Sequence, residues 1–312
     1  MSRIAFGGVA IVLLILTLIL FPPIATTGGL GLCLPSPNQW MLPHWLGWLI
    51  NTAIIALSAI LMEVANKKYN FIPDASHIMA LALILLMACN CVSTATLSTA
   101  TLMLLVNVLS LFVIFSTYEA PNASREFFIV ATLPAIGAMF QYAFIVMIPV
   151  YISAGLLMKS FRIRELIAFV FGLLTPYWIA VGMGMVSPFD FRLPERLIIF
   201  SRGVVDNDIF LTLVAAGIMA LTGFILSLYN TVRLFSRNSR LRCMHTSFHL
   251  LGYVTVLAII FDFTNFVAYF GTLALWTAVE VATLLHFYGV RRPGLVLAGL
   301  LAIFLPLYIL AL

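Results

Sequence analysis

Charged side chains are scarce in this sequence. Asp, Glu, Lys and Arg together supply 9% of its 312 residues, where an ordinary soluble domain carries about 25%. That deficit excludes a water-soluble globule, because 63% of the residues are hydrophobic and no single soluble core absorbs such an excess. Cysteine is also sparse. The four present, Cys33, Cys89, Cys91 and Cys243, lack metal-ligand spacing and so exclude a zinc site and a disulfide framework. One bridge, Cys33 to Cys89 or Cys91, stays open if the compartment is oxidising. Missing as well are a Gly-rich phosphate loop, a zinc-protease histidine pair, a serine nucleophile elbow and a kinase signature. No metal or cofactor is therefore expected, and whether the chain is an enzyme stays open. The sixteen Lys and Arg are dispersed among short loops rather than gathered on one domain, which argues against a nucleic-acid partner.

Long apolar runs are what the sequence does have. They recur from Ile4 to Leu312 at lengths near the roughly 20 residues that carry a helix across about 30 Å of hydrocarbon. They do not alternate in polarity as barrel strands do. The reading is an all-α, polytopic membrane protein with one integral-membrane domain, 1–312. Eleven spans are placed near 4–23, 45–64, 77–93, 99–117, 126–139, 141–158, 165–186, 209–229, 248–263, 265–288 and 294–311. The first is read as a retained span, since Phe21-Pro22-Pro23 replaces a small-x-small cleavage site. Segment 126–139 is short enough to be re-entrant, which requires its end to be buried in protein.

Basic residues test the orientation, because cytoplasmic loops carry the excess of Lys and Arg. With the N-terminus inside and the C-terminus outside, thirteen of the sixteen fall on the cytoplasmic face. The other three, Arg192, Arg196 and Arg202, share the extracytoplasmic loop 187–208 with Asp190. Arginine forks match phosphate oxygens, so these four residues form a candidate site for an anionic lipid group.

Inside the membrane, Glu280 stands out in the span 265–288, where an ionised carboxylate costs about 2.5–3.5 kcal/mol. It is a candidate titrating group. Asp262, in the break between the segments 248–263 and 265–288, is a second candidate, with capping of the next helix through Asp262-x-x-Asn265 as its simpler role. His77, His245, His249 and His286 map to the cytoplasmic side, too dispersed in sequence to argue a metal site. Glu63 and Lys67 make an ordinary helix-surface pair. His44 lies among Trp40, Trp45 and Trp48, which read as an interfacial aromatic belt.

The run Arg125 to Met139, Gln141 to Leu157, then Lys159-Ser160-Phe161-Arg162-Ile163-Arg164-Glu165 and the helix bearing Leu174-Thr175-Pro176-Tyr177 resembles the scaffold of polytopic glycosyltransferases that use polyprenyl-phosphate sugar donors. The same run resembles an uncharacterised family of bacterial inner-membrane proteins, a domain of unknown function. The resemblance implies a bacterial inner-membrane location and a lipid-linked anionic envelope substrate. One departure counts against glycosyl transfer: the family's catalytic acid sits in the first outer loop, and residues 24–44 contain no Asp or Glu. Three functions follow as expectations: binding or processing of a lipid-linked substrate, proton-coupled transport or flipping through Glu280, and a non-catalytic subunit. Membrane lipid and partner membrane proteins are the expected partners.

Overall fold

The computed structural model describes residues 3–21, 31–40, 42–72, 76–187, 189, 207–234, 238–288 and 293–311. Every regular element among them is helical, as a bilayer demands of backbone that has no water to bond to. In chain order the helices are α1 (Arg3–Leu20), α2 (His44–Tyr69), α3 (Ser76–Ala88), α4 (Cys91–Thr94), α5 (Thr99–Ser116), α6 (Ser124–Phe140), α7 (Ile148–Leu157), α8 (Ile163–Gly182), α9 (Asn207–Leu234), α10 (Ser239–Phe261), α11 (Phe266–Tyr288) and α12 (Pro293–Ala311). Short 3-10 turns precede α7 and join α10 to α11. Among the described residues seven helices, α2, α5 and α8 to α12, are long and apolar enough to cross a membrane. The chain is thus an all-helical, multi-pass membrane protein. Helix occupies part of each expected segment, with α3 and α4 sharing one and 142–147 forming a 3-10 turn ahead of α7, but only seven of these helices among the described residues have spanning length and composition.

The surface is apolar where a soluble protein would be charged. Trp178 is 82% exposed and Val232 75%, so these faces are made for lipid. At the centre stands α11, with 89% of its apolar window buried against 17% for α12. Packed by α3, α5, α9 and α10, it carries the polar residues discussed below.

Two irregular stretches show how interior backbone is satisfied. Between α3 and α5 the chain breaks, and Asn51 of α2 fills the gap. Its amide donates to the carbonyls of Ser93 (2.7 Å) and Thr94 (3.3 Å), while its oxygen accepts from the Ser98 N–H (3.4 Å) and the Thr101 hydroxyl. The second stretch is the end of α6. The N–H groups of Leu32, Cys33 and Leu34 donate to the carbonyls of Ala138 and Met139 at 2.9–3.3 Å, the orphan acceptors at a helix C-terminus. The short helix therefore ends against protein rather than lipid.

The parallel helices α6 and α8 form the most extensive pair in the bundle. Gly172 allows the approach, since a Cβ there would lie 2.4 Å from the Phe128 carbonyl oxygen. At the start of α8, Glu165 is 1% exposed. Its Oε1 lies 3.4 Å from both the Ala123 N–H and the Ser124 hydroxyl, so the carboxylate sits at the positive N-terminus of the neighbouring helix α6.

Three readings gain detail. None of the four cysteines is in a disulfide: Cys33 packs with Met139 and Ala180, whereas Cys89 and Cys91 belong to the main core. The Trp48 indole donates to the Leu14 carbonyl at 3.0 Å and so also ties α2 to α1; Trp45 is 60% exposed. Glu63 holds Lys67 at 2.7 Å as expected, and also His77 at 3.0 Å.

Candidate functional site

Three of the central helices bring polar groups to one point. Glu280 of α11 is 0% exposed. The amide of Asn230, on α9, donates to Glu280 Oε2 at 2.7 Å and to the Glu280 carbonyl at 3.0 Å. Nε2 of His249, on α10, lies 3.0 Å from Oε1. That last contact is an ion-pair distance without the alignment of a hydrogen bond, so neither atom counts as hydrogen-bonded.

Hydrogen accounting fixes one nitrogen of His249. The Thr231 hydroxyl already donates to the Ser227 carbonyl at 2.7 Å. At its 3.3 Å contact with His249 Nδ1 it must therefore accept, and Nδ1 carries a proton. Nε2 is then the nitrogen that faces Oε1. One proton shared there would make the pair neutral overall, whereas any other occupancy leaves a net buried charge, which an apolar bundle disfavours.

The surroundings complete this layer. His245, one turn before His249, donates through Nε2 to the Phe71 carbonyl at 3.0 Å and has the opposite tautomer. Thr231 is exposed on the surface of α9, so His249 is one hydroxyl from the outside of the bundle. One turn along, the Ser227 and Tyr253 hydroxyls lie 2.8 Å apart. Tyr253 also lines an apolar groove of about 440 Å³ between α9 and α10.

Glu280 is thus confirmed as buried and is given partners that hydropathy did not name. Asp262 lies apart, at the α10–α11 break. It makes no side-chain cap, which corrects the expected capping role. Its carboxylate instead accepts from the Asn265 amide at 2.9 and 3.1 Å and from the Tyr269 hydroxyl at 3.0 Å, because Asn265 and Tyr269 follow it on the same face. Asp190, Arg192, Arg196 and Arg202 lie outside the described residues. Among the described residues no group of three or more His, Cys, Asp or Glu forms a metal site.

Sequence reasoning named His245 and His249 without joining them to Glu280, and it left out Asn230 and Thr231; for all but His249 the helix ends were drawn too short. The span 209–229 stops one residue before Asn230, whereas α9 runs to Leu234; α10 begins at Ser239 rather than 248. The available signal was the i, i+4 spacing of His245 and His249, which places both on one helix face.

No family model, curated protein or solved structure matches the chain.

Proposed function

We propose that this is a proton-coupled transporter or flippase in which the His249–Glu280 pair takes up and releases the coupling proton. The observation that carries the reading is a fully buried carboxylate 3.0 Å from an imidazole inside an apolar bundle, where an ionisable group is a functional candidate by default. Asn230 holds the second carboxylate oxygen, so only Oε1 is left to exchange the proton with His249. Eleven spans with the N-terminus inside, in a bacterial inner membrane, complete the proposal; the thirteen-to-three division of Lys and Arg supports it.

Infrared difference spectroscopy of the reconstituted protein tests the proposal without knowing the cargo. The carboxylic C=O band assigned by its loss in Glu280→Gln is expected to change with pH, and its position to shift in His249→Gln. A Glu280 band unmoved across the accessible pH range overturns the reading.

A second reading, binding of a lipid-linked anionic substrate, rests on Arg192, Arg196 and Arg202 beside Asp190 and on the glycosyltransferase-like helix order. Native mass spectrometry of protein extracted gently from its membrane separates the two. A co-purified polyprenyl-phosphate lost on replacing all three arginines favours this second reading, and a bound partner protein without such a lipid favours a subunit.

A further inference from the structure

Polar residues run the length of the central helix on one narrow face. Tyr269, Thr272, Trp276, Glu280 and Thr283 recur at intervals of three and four and fall within an arc of about 80° at 100° per residue, and none is more than 1% exposed. Their partners come from different helices. Tyr269 donates to Asp262, itself only partly buried at the α10–α11 turn. The Thr272 hydroxyl accepts from the Asn107 amide of α5 at 2.8 Å, and the oxygen of that amide accepts from the Tyr151 hydroxyl of α7 at 2.5 Å. Glu280 binds His249, which reaches the exposed Thr231. The stripe therefore consists of two polar stretches: one from Thr231 through His249 to Glu280, the other from Asp262 and Tyr269 to Thr272, which follows Tyr269 about 4.5 Å further along the same face of α11.

Between them stands Trp276. Thr272 and Glu280 are separated by about 12 Å along the axis at 1.5 Å per residue, too far for a proton to pass without intervening water or a side chain that accepts and donates. The indole cannot do both. Its Nε1 donates only, and it is buried without a hydrogen-bond partner. The ring fills a slot made by two glycines: a Cβ on Gly252 of α10 would meet Trp276 Cδ2 at 2.0 Å, and one on Gly223 of α9 would meet Cε3 at 2.9 Å. Tyr253 closes a third side, its ring edge-on at 5.6 Å.

We propose that Trp276 is the gate between two proton half-paths, one from Thr231 through His249 to Glu280 and the other from Asp262 through Tyr269 to the Thr272–Asn107–Tyr151 layer. This rests on the proton-handling reading of Glu280. The titratable groups around Glu280 are His249 and His245 from α10 and His286 further along α11. From α9 come Asn230 and Thr231, while Arg233 lies on its exposed side and donates to the Tyr229 hydroxyl. α3 brings only His77, bound to Glu63, and α5 has no charged or histidine side chain. With the indole in its slot, each half-path is open to one side only, as coupling requires; displacing the ring joins them.

The test is proton uptake by proteoliposomes holding a pH-sensitive dye, driven by a potassium diffusion potential. Wild type and Trp276→Phe, which keeps a ring in the slot, are expected to stay tight. Trp276→Ala is expected to admit protons several-fold faster, and the added leak to vanish in Trp276→Ala/Glu280→Gln. Trp276→Leu carries the same expectation if the alanine variant does not purify as a monodisperse helical protein. A folded variant with no added leak, or a leak that survives Glu280→Gln, overturns the gate. The infrared titration of Glu280 in wild type separates the two claims. A titrating Glu280 with a tight Trp276→Ala removes the gate alone, whereas a non-titrating Glu280 removes the function on which it rests.

Discussion

Nε2 of His249 lies 3.0 Å from Oε1 of Glu280, in side chains 8% and 0% exposed. Neither residue is tolerable there without the other. A buried ion pair broken from one side costs about 3–5 kcal/mol, while replacing both partners with apolar residues is often neutral. His249→Leu and Glu280→Leu are each expected to lower thermal stability in detergent by an amount of that order, and the double variant to recover most of the loss. A double-mutant cycle on unfolding midpoints checks this; additive losses would mean the pair is not coupled.

Gly252 and Gly217 give a matched comparison of crowded and open glycines. Gly252→Ala drives a methyl into the Trp276 ring, whereas a Cβ at Gly217 of α9 meets nothing within 4 Å. The first is expected to destabilise by about 1–3 kcal/mol as overpacking does. The second should be neutral or stabilising by up to about 1 kcal/mol, since alanine is the better helix former. Trp276→Leu added to Gly252→Ala should restore stability, as read by thermal unfolding.

Asn51 is expected to be the most damaging polar position outside the Glu280 layer. Asn51→Ala strands the Ser93 and Thr94 carbonyls and the Ser98 N–H, while the Thr101 hydroxyl keeps the Ser98 carbonyl at 2.7 Å; each buried group left unpaired costs about 1–3 kcal/mol. Hydrogen exchange should show residues 89–101 losing protection before the rest of the bundle.

Outside the helices, Glu119 and Lys159 join the α5–α6 and α7–α8 turns at 3.0 Å. The hydrogen bond from Lys159, with the charge of the same ammonium, holds the Glu119 carboxyl below its ordinary value and raises Lys159. A depressed carboxylate stabilises above its unfolded pKa of about 4.3 and loses that contribution as pH falls through the folded value. Acid should therefore loosen these turns, by a small amount because both groups are exposed. Glu119→Gln should flatten the acid limb of stability and leave neutral pH nearly unchanged.

The line between pattern and packing is visible in particular residues. Apolar runs of spanning length mark α2, α5 and α8 to α12 directly, because lipid imposes helix on any such run. Glu280 is legible for the same reason: a carboxylate inside an apolar run has no local explanation. Its partners are not legible. Asn230 is 50 residues away and His249 is 31; Asn230 lies just past the point where hydropathy ends its span, and His249 at the very start of its own. α9 and α10 extend past those points, and there the Asn230 amide bonds Glu280 while His249 faces its other oxygen across three helices. The seat of Trp276 is likewise a property of contact: Gly223 and Gly252 are unremarkable in sequence, and they make a slot only once three helices meet. Hydropathy decides how much of the chain enters the bilayer, since transfer from water depends on each segment alone. Which polar groups meet there is decided by the packing of distant helices.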